Sequence, residues 1–238
     1  MKKRSTLLFV LLLVAFTIFF ASCKKSNNSS TQCYITEIKV STTTDSENIK
    51  LEYDNNKKLS SLLYAPSNIK KTLAYQDNFI IQTVISANGN VNEIDTIALN
   101  ADGAVNTEVW DLKSGSSELI EYDTMTYDAN KQLIKIIQSI AGTRYIYSNT
   151  WDNGDISSSA GDTCTYYLDK KAADGDFFWV GEVLRQGIRL TNCKHLCKGS
   201  GPYTISYLFD KDGKITSTTI VDLSWPRRYQ YNYTYTCN

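Results

Sequence analysis

The sequence predicts an all-β protein: an antiparallel meander of about a dozen strands, curled into a half-barrel or open barrel, with one short helix or lid segment. One turn frame recurs. Phe209-Asp210-Lys211-Asp212-Gly213-Lys214-Ile215 reads as an aromatic, an Asp, turn residues, a Gly and an aliphatic that opens the next strand, which is hairpin chemistry. Tyr53 to Leu59 and Tyr127 to Leu133 repeat it, Leu99 to Val105 and Ile85 to Val91 are looser copies, and Trp151 to Ile156 is a copy one residue shorter. The segments between these frames alternate apolar and polar residues with a period of two. Composition agrees: 238 residues hold sixteen Tyr, two Met and three Pro, and Tyr suits half-buried strands, where its ring packs and its hydroxyl stays wet.

From the N-terminus, Met1-Lys2-Lys3-Arg4 is a basic head, and Leu7 to Phe20 is an almost unbroken apolar run. As a helix that run reaches only about 21 Å, short of a ~30 Å hydrocarbon core, so residues 1–22 are predicted to be a secretory signal. Phe20-Ala21-Ser22-Cys23 resembles the lipobox of bacterial lipoproteins, with Phe where Leu or Val is usual. The likeness implies that Cys23 carries a diacylglycerol thioether and becomes the acylated N-terminus, palmitate being a typical chain. An ordinary cut after Ala21 or Ser22 would leave Cys23 a plain thiol. Several acyl chains, at ~0.8 kcal/mol per buried methylene, would hold the protein on a bilayer. Residues 23–32 carry no apolar side chain beyond Cys23 and read as a flexible polar tether. Their lysines, where some surface-exported lipoproteins carry acidic residues, favour the periplasmic side of the outer membrane over the cell surface.

Residues 33–238 read as a single β domain. Strands are expected over 33–40, 49–53, 59–64, 79–85, 91–99, 105–110, 119–127, 133–140, 145–151, 163–168, 203–209, 214–223 and 227–237. Residues 174–202 break the rhythm. Phe177, Val180 and Leu184 stand at helical spacing, Asp176 can cap the start and Gly187 the end, so a short helix or lid is expected, running into a Gly-rich loop.

The repeated Tyr-Asp hairpins, the Gly-rich loop after Phe177-Phe178-Trp179 and the closing Tyr229-x-Tyr231-x-Tyr233 strand resemble a group of uncharacterised bacterial envelope lipoproteins described as a domain of unknown function with a porin-like fold. In that group a loop reading roughly Ser-Lys-Asn-Leu-Pro precedes the final hairpin; Leu196 fits it, and Cys197 stands where Pro would be. The resemblance implies a strongly curved, many-stranded antiparallel sheet and brings no catalytic residues. The Tyr-Asp repeat is also similar to that of large toxin-encapsulating shells, which need far longer arrays.

Chemistry-bearing clusters are few. Cys193-x-His195-x-Cys197 holds the one His in the chain and invites zinc, but structural zinc takes four ligands and exported thiols are usually oxidised. Disulfides are therefore expected among Cys33, Cys164, Cys193, Cys197 and Cys237, first of all between Cys164 and the Cys193/Cys197 loop, with one thiol left over. Asp210-x-Asp212-Gly213 lacks the later ligands of a calcium loop and reads as turn chemistry. No cofactor or metal is expected. Tyr203, Tyr207 and Phe209 share one face of their strand, as do Tyr229, Tyr231, Tyr233 and Tyr235. They form either a Tyr-rich core or a platform for a glycan, lipid or protein partner. Without residues 1–22, 22 basic side chains face 25 acidic ones, which gives no electrostatic case for nucleic acid. The sequence thus points to a non-enzymatic, lipid-anchored envelope protein that binds on its curved sheet. A glycan hydrolase, which needs two facing carboxylates in a cleft, and a purely structural envelope component are the alternatives.

Overall fold

The computed structural model describes residues 32–114, 117–225 and 227–237. Sixteen strands follow in order: β1 (Cys33–Ser41), β2 (Ser46–Tyr53), β3 (Leu59–Ala65), β4 (Ile69–Gln76), β5 (Phe79–Ile85), β6 (Val91–Leu99), β7 (Val105–Ser114) and β8 (Ser117–Tyr127). The second half is β9 (Leu133–Ile140), β10 (Thr143–Asp152), β11 (Asp155–Ser159), β12 (Asp162–Lys171), β13 (His195–Ser200), β14 (Tyr203–Phe209), β15 (Ile215–Asp222) and β16 (Arg227–Cys237). Each pairs with its neighbours in sequence, and β16 returns to β1 to close a barrel. At that seam the Thr36 hydroxyl donates to Thr234 O at 3.3 Å. The antiparallel meander with one short helix is as expected, but the half-barrel or open barrel is corrected. Closure leaves no unpaired edge, and it takes more strands than the dozen expected.

Three strands escaped the sequence reading, each for a local reason. In β4 the pair Lys70-Lys71 hides the alternation, because Lys71 points into the barrel. Asp155-Ile156-Ser157-Ser158-Ser159 makes β11 from residues that usually favour turns. Gly199 and Cys197 made β13 look like loop, and its pairing with β12 runs through two register shifts.

The recurrent frame works as one device. Asp54, Asn100, Asp128 and Asp210 each accept two backbone N–H bonds through Oδ1, from the residues two and four further on. For Asp210, the Lys214 N–H foremost holds the carboxyl below its ordinary pKa. The fourth turn residue is left-handed, with φ +64 at Lys57, +77 at Gly103, +63 at Lys131 and +82 at Gly213. The aromatic or aliphatic before each turn then pairs with the aliphatic six residues on: Tyr53 with Leu59, Leu99 with Val105, Tyr127 with Leu133 and Phe209 with Ile215. All four turns lie at the barrel end where β1 begins and β16 finishes. Leu59, Val105, Leu133 and Ile215 are buried there. The turn repeat is therefore also a core repeat.

The connection from β12 to β13 leaves from that same end and carries helix α1 (Phe177–Gln186). The Asp176 carboxylate accepts from Trp179 N at 2.9 Å, and Gly187 ends the helix at φ +73 with its N–H on Val183 O, as the sequence implied. The lid is corrected to a plug. α1 touches β3, β4, β7, β8, β14 and β16, strands from right around the ring, so it lies in the lumen. Trp179, Val180 and Val183 join the core with Ile35, Ile49, Leu62, Leu73, Ile97 and Met125.

A Cβ built on Gly213 meets nothing within 4 Å, so the cost of Gly213→Ala is purely that of the left-handed backbone, about 1 kcal/mol. Lys57→Gly, at the equivalent position, should move denaturant stability the opposite way. Equal signs for the two variants would reject the shared-turn account.

Candidate functional site

The lumen has an aromatic side and a polar side, and α1 divides them. On the aromatic side, Tyr233 is buried, donates to Gly175 O at 2.9 Å and meets Trp179 edge-on at 6.3 Å. Thr218 donates to the same carbonyl at 2.6 Å. Gly175 has φ +88, and a Cβ there would stand 3.0 Å from the Tyr233 ring, so only Gly allows this approach. Tyr207 donates to Cys197 O at 2.8 Å and accepts from Phe177 N at 3.4 Å. Tyr203 packs on Phe177, and Tyr235 donates to Ile215 O at 2.9 Å. Tyr229 and Tyr231 pack half-buried against the Ile205–Ile220 cluster, while Phe209 is 40% exposed. What lies against Tyr203, Tyr207, Tyr233 and Tyr235 is the chain's own segment 174–179.

On the polar side the C-terminal turn of α1 is held by charge. Lys71 Nζ donates to Leu184 O and Arg185 O at 3.2 and 3.1 Å, and Tyr64 donates to Leu184 O at 3.1 Å. A cation suits the negative end of a helix dipole. Gln186 donates to Glu108 Oε2 at 2.7 Å. Arg185 lies over the Trp110 ring at 4.2 Å, with Asp123 and Glu121 at 3.7 and 3.9 Å. Gln82 donates to Asp95, and Gln138 to Glu121. Burial, aided by Glu93, pushes Asp95 up to about 8. Burial likewise raises Glu108 to about 7, against Arg185, and Asp123 to about 6, where Glu121 adds to it. Beyond the helix, Glu182 accepts from Leu190 N, Thr191 N and the Thr191 hydroxyl, and Arg189 bridges to Asp176 at 2.8 Å. These bonds fold the exit loop back on the helix.

Between α1 and β8–β11 lies a cavity of about 370 Å³. Met125, Ile136, Ile156 and Phe178 give it an apolar wall; Asp123, Gln138, Tyr147, Asn149, Arg185 and Gln186 give it a polar one. Sequence reasoning missed this site. Its polar members are spread over β8, β9, β10 and α1, and only the inward alternation of Glu121, Asp123 and Met125 hinted at a polar lumen.

The expected bridge from Cys164 to Cys193 or Cys197 is not formed. All three are buried free thiols, and the disulfide-bonded cysteines are Cys33 and Cys237. Cys193 lies 3.6 Å from the Tyr166 hydroxyl, and burial raises its thiol to about 11, a protonated, unreactive state. Cys164 packs with Ile156 and Cys193, and Cys197 with Ile205. His195 takes a different partner: its Nδ1 meets Asp155 Oδ2 at 2.6 Å and its N–H donates to Asp155 Oδ1. Among the described residues no group of His, Cys, Asp and Glu could hold a metal ion. Cys23, with residues 1–31, lies outside the described residues.

No protein-family model matches the chain, and no curated protein does. Solved structures do. A porin-like protein from Bacteroides uniformis superposes with a TM-score of 0.57 at 14% identity, over 86% of this chain and 96% of that one. A porin-like protein from Bacteroides vulgatus gives 0.57 and 14%, over 86% and 99%. At such identity the likeness establishes the porin-like barrel and nothing finer.

Tyr233→Ala should cost about 3–5 kcal/mol, as large buried aromatic truncations do. An unchanged melting temperature would show that the plug does not depend on this face. The raised carboxylates give a second outcome. A folded-state pKa above the unfolded value of 3.8 or 4.5 means the native barrel binds more protons, so stability falls as pH rises from about 4 through about 8. Melting temperature should be higher at pH 5 than at pH 8, and Asp95→Asn should narrow the gap. A rise with pH would contradict this.

Proposed function

We propose that this chain is a lipid-anchored cell-envelope protein that binds a small ligand or a partner inside or on its barrel, and that it does not conduct solutes. The observation that carries this reading is the plug: α1 lies in the lumen and is bonded to strands on several sides. The outer wall supports it. The row Lys50, Leu63, Lys70 on β2–β4 and the row Ser206, Thr219, Gln230 on β14–β16 face outward. Lys at the midplane of a lipid-facing wall costs about 2–4 kcal/mol each. Exposed apolar side chains are scattered, among them Leu63 on β3, Ile120 and Tyr122 on β8, Ile146 on β10, Leu168 on β12 and Leu208 on β14, and these polar rows interrupt them. The barrel is read as standing in an aqueous compartment, tethered through Cys23 to the outer membrane on its periplasmic side. A glycan, lipid or protein is the class of partner proposed.

The hydrolase reading has one observation in its favour, that Asp123 and Glu182 line the same cavity. Both Glu182 oxygens, however, are occupied by Leu190 and Thr191. That role is structural, and it leaves no second carboxyl free for acid–base work.

Metabolic labelling with a palmitate analogue should mark the wild type and leave Cys23→Ala unlabelled and released from membranes. A variant that stays labelled and membrane-bound would overturn the anchor. In planar bilayers the full chain should give no stepwise conductance, whereas steady steps would place the barrel in the membrane.

A further inference from the structure

We infer that the cavity between α1 and β8–β11 is a binding site for a neutral, hydroxyl-rich molecule of about one sugar ring, held between Asp123, Gln186 and Arg185. The inference deepens the proposed binding role and rests on it.

Unpartnered groups set the chemistry. Asp123 Oδ1 and Gln186 Oε1 are buried and accept no hydrogen bond. Both residues are at least nine-tenths buried, at 3% and 4% exposure, and both line the cavity. An unsatisfied buried acceptor costs about 1–3 kcal/mol, so the site lacks donors. Arg185 presents the opposite need. Its guanidinium is half exposed, and its carboxylates stand at 3.7 and 3.9 Å, beyond good hydrogen-bond length.

Charge then narrows the occupant. An anion would enter beside Asp123 and Glu182, with Glu121 close by. A cation would share the space with Arg185. A hydroxyl serves both sides, since it donates one bond and accepts two: once a small turn of either side chain brings its buried oxygen to the cavity, it can give to Asp123 Oδ1 or Gln186 Oε1 and take from Arg185. Gln138, Asn149 and the Tyr147 hydroxyl extend the polar wall. The apolar wall of Met125, Ile136, Ile156 and Phe178 suits the C–H face of a pyranose. The volume of about 370 Å³ is at the small end for ligand sites, which fits one ring within the cavity. Tyr147 is 39% exposed, so the site opens to solvent on its side.

The test uses the full chain in detergent, with saturation-transfer NMR and calorimetry against glucose, galactose, mannose and their disaccharides, and with glucosamine and glucuronate as charged controls. At least one neutral sugar should bind saturably. Asp123→Asn should weaken it about tenfold or more, the loss expected for a charge-assisted hydrogen bond. Tyr147→Phe, at the open rim where folding is not at stake, should weaken it severalfold. Tyr122→Ala, on the outer face one residue from Asp123, should change nothing. No saturable binding of any neutral sugar at tens of millimolar, or binding indifferent to both Asp123→Asn and Tyr147→Phe, overturns the inference. Binding of glucosamine or glucuronate alone, if lost in Asp123→Asn, overturns the neutral class and leaves the broader binding role standing. The anchor at Cys23 is judged separately by its own labelling experiment.

Discussion

A ring of sixteen strands encloses more space than its own side chains can fill. Eight strands make an interior that side chains close, and sixteen leave a channel. Everything else in this barrel follows from how that space is occupied. The chain spends its one long connection, residues 172–194, on sending α1 inward from the end where the recurrent turns lie. The inward faces of the strands are then divided by what the helix offers them. Apolar residues and tyrosines meet Trp179, Val180 and Val183, and charged groups meet the frayed carbonyls and polar side chains of its last turn.

The tyrosines show why this chain uses Tyr where a closed core would use Phe. The plug enters as irregular backbone at Asp174-Gly175-Asp176 before it becomes helical, and irregular backbone brings carbonyls that must be bonded when buried. Tyr233 and Thr218 satisfy Gly175 O, and Tyr207 satisfies Cys197 O on the neighbouring strand. Each ring contributes packing area while its hydroxyl completes a backbone bond. The platform is a receptor for the chain's own segment. An aromatic strip of the same pattern in another protein could equally hold a sugar, because the chemistry wanted by a buried peptide and by a polyol is similar.

Much of the architecture was legible because it is written locally. An Asx residue, a left-handed fourth position and an aliphatic six residues on define a hairpin within seven residues, so the meander and its register could be read at Tyr53, Leu99, Tyr127 and Phe209. The caps of α1 were legible for the same reason. Closure was not, since β1 and β16 meet across the whole chain and nothing in either sequence names its partner. Lys71 hid β4 because its reason for facing inward, the carbonyls of Leu184 and Arg185, lies more than a hundred residues away. Cys193-x-His195-x-Cys197 misled for a related reason. Its spacing suggested that the three act together, but in β13 and the loop before it each side chain takes a different neighbour, and Asp155 on β11 claims the histidine.

The polar side of the lumen sets the plug apart from an ordinary core helix. Buried carboxylates are costly unless paired, yet Asp95, Glu108 and Asp123 face only Lys71 and Arg185 as cations, and all three are driven toward their protonated forms. Natural cores avoid such an imbalance when packing is the sole purpose. The apolar contacts of Trp179, Val180 and Val183 seat one side of α1, while Lys71, Glu108 and the carboxylates beside Arg185 hold its last turn. Asp123, the one of the three that lines the open space, makes a polar wall there with Gln138, Asn149 and Gln186. That wall stands where the helix leaves the lumen incompletely filled, along β8–β11. The division of the lumen is therefore one of labour: the tyrosine side supplies rigidity, and the rigidity lets the acceptor side remain unsatisfied without collapsing. A binding site of this kind depends on the plug as firmly as the fold does, because moving α1 would dissolve both Arg185 and Gln186 from the wall that Asp123 completes.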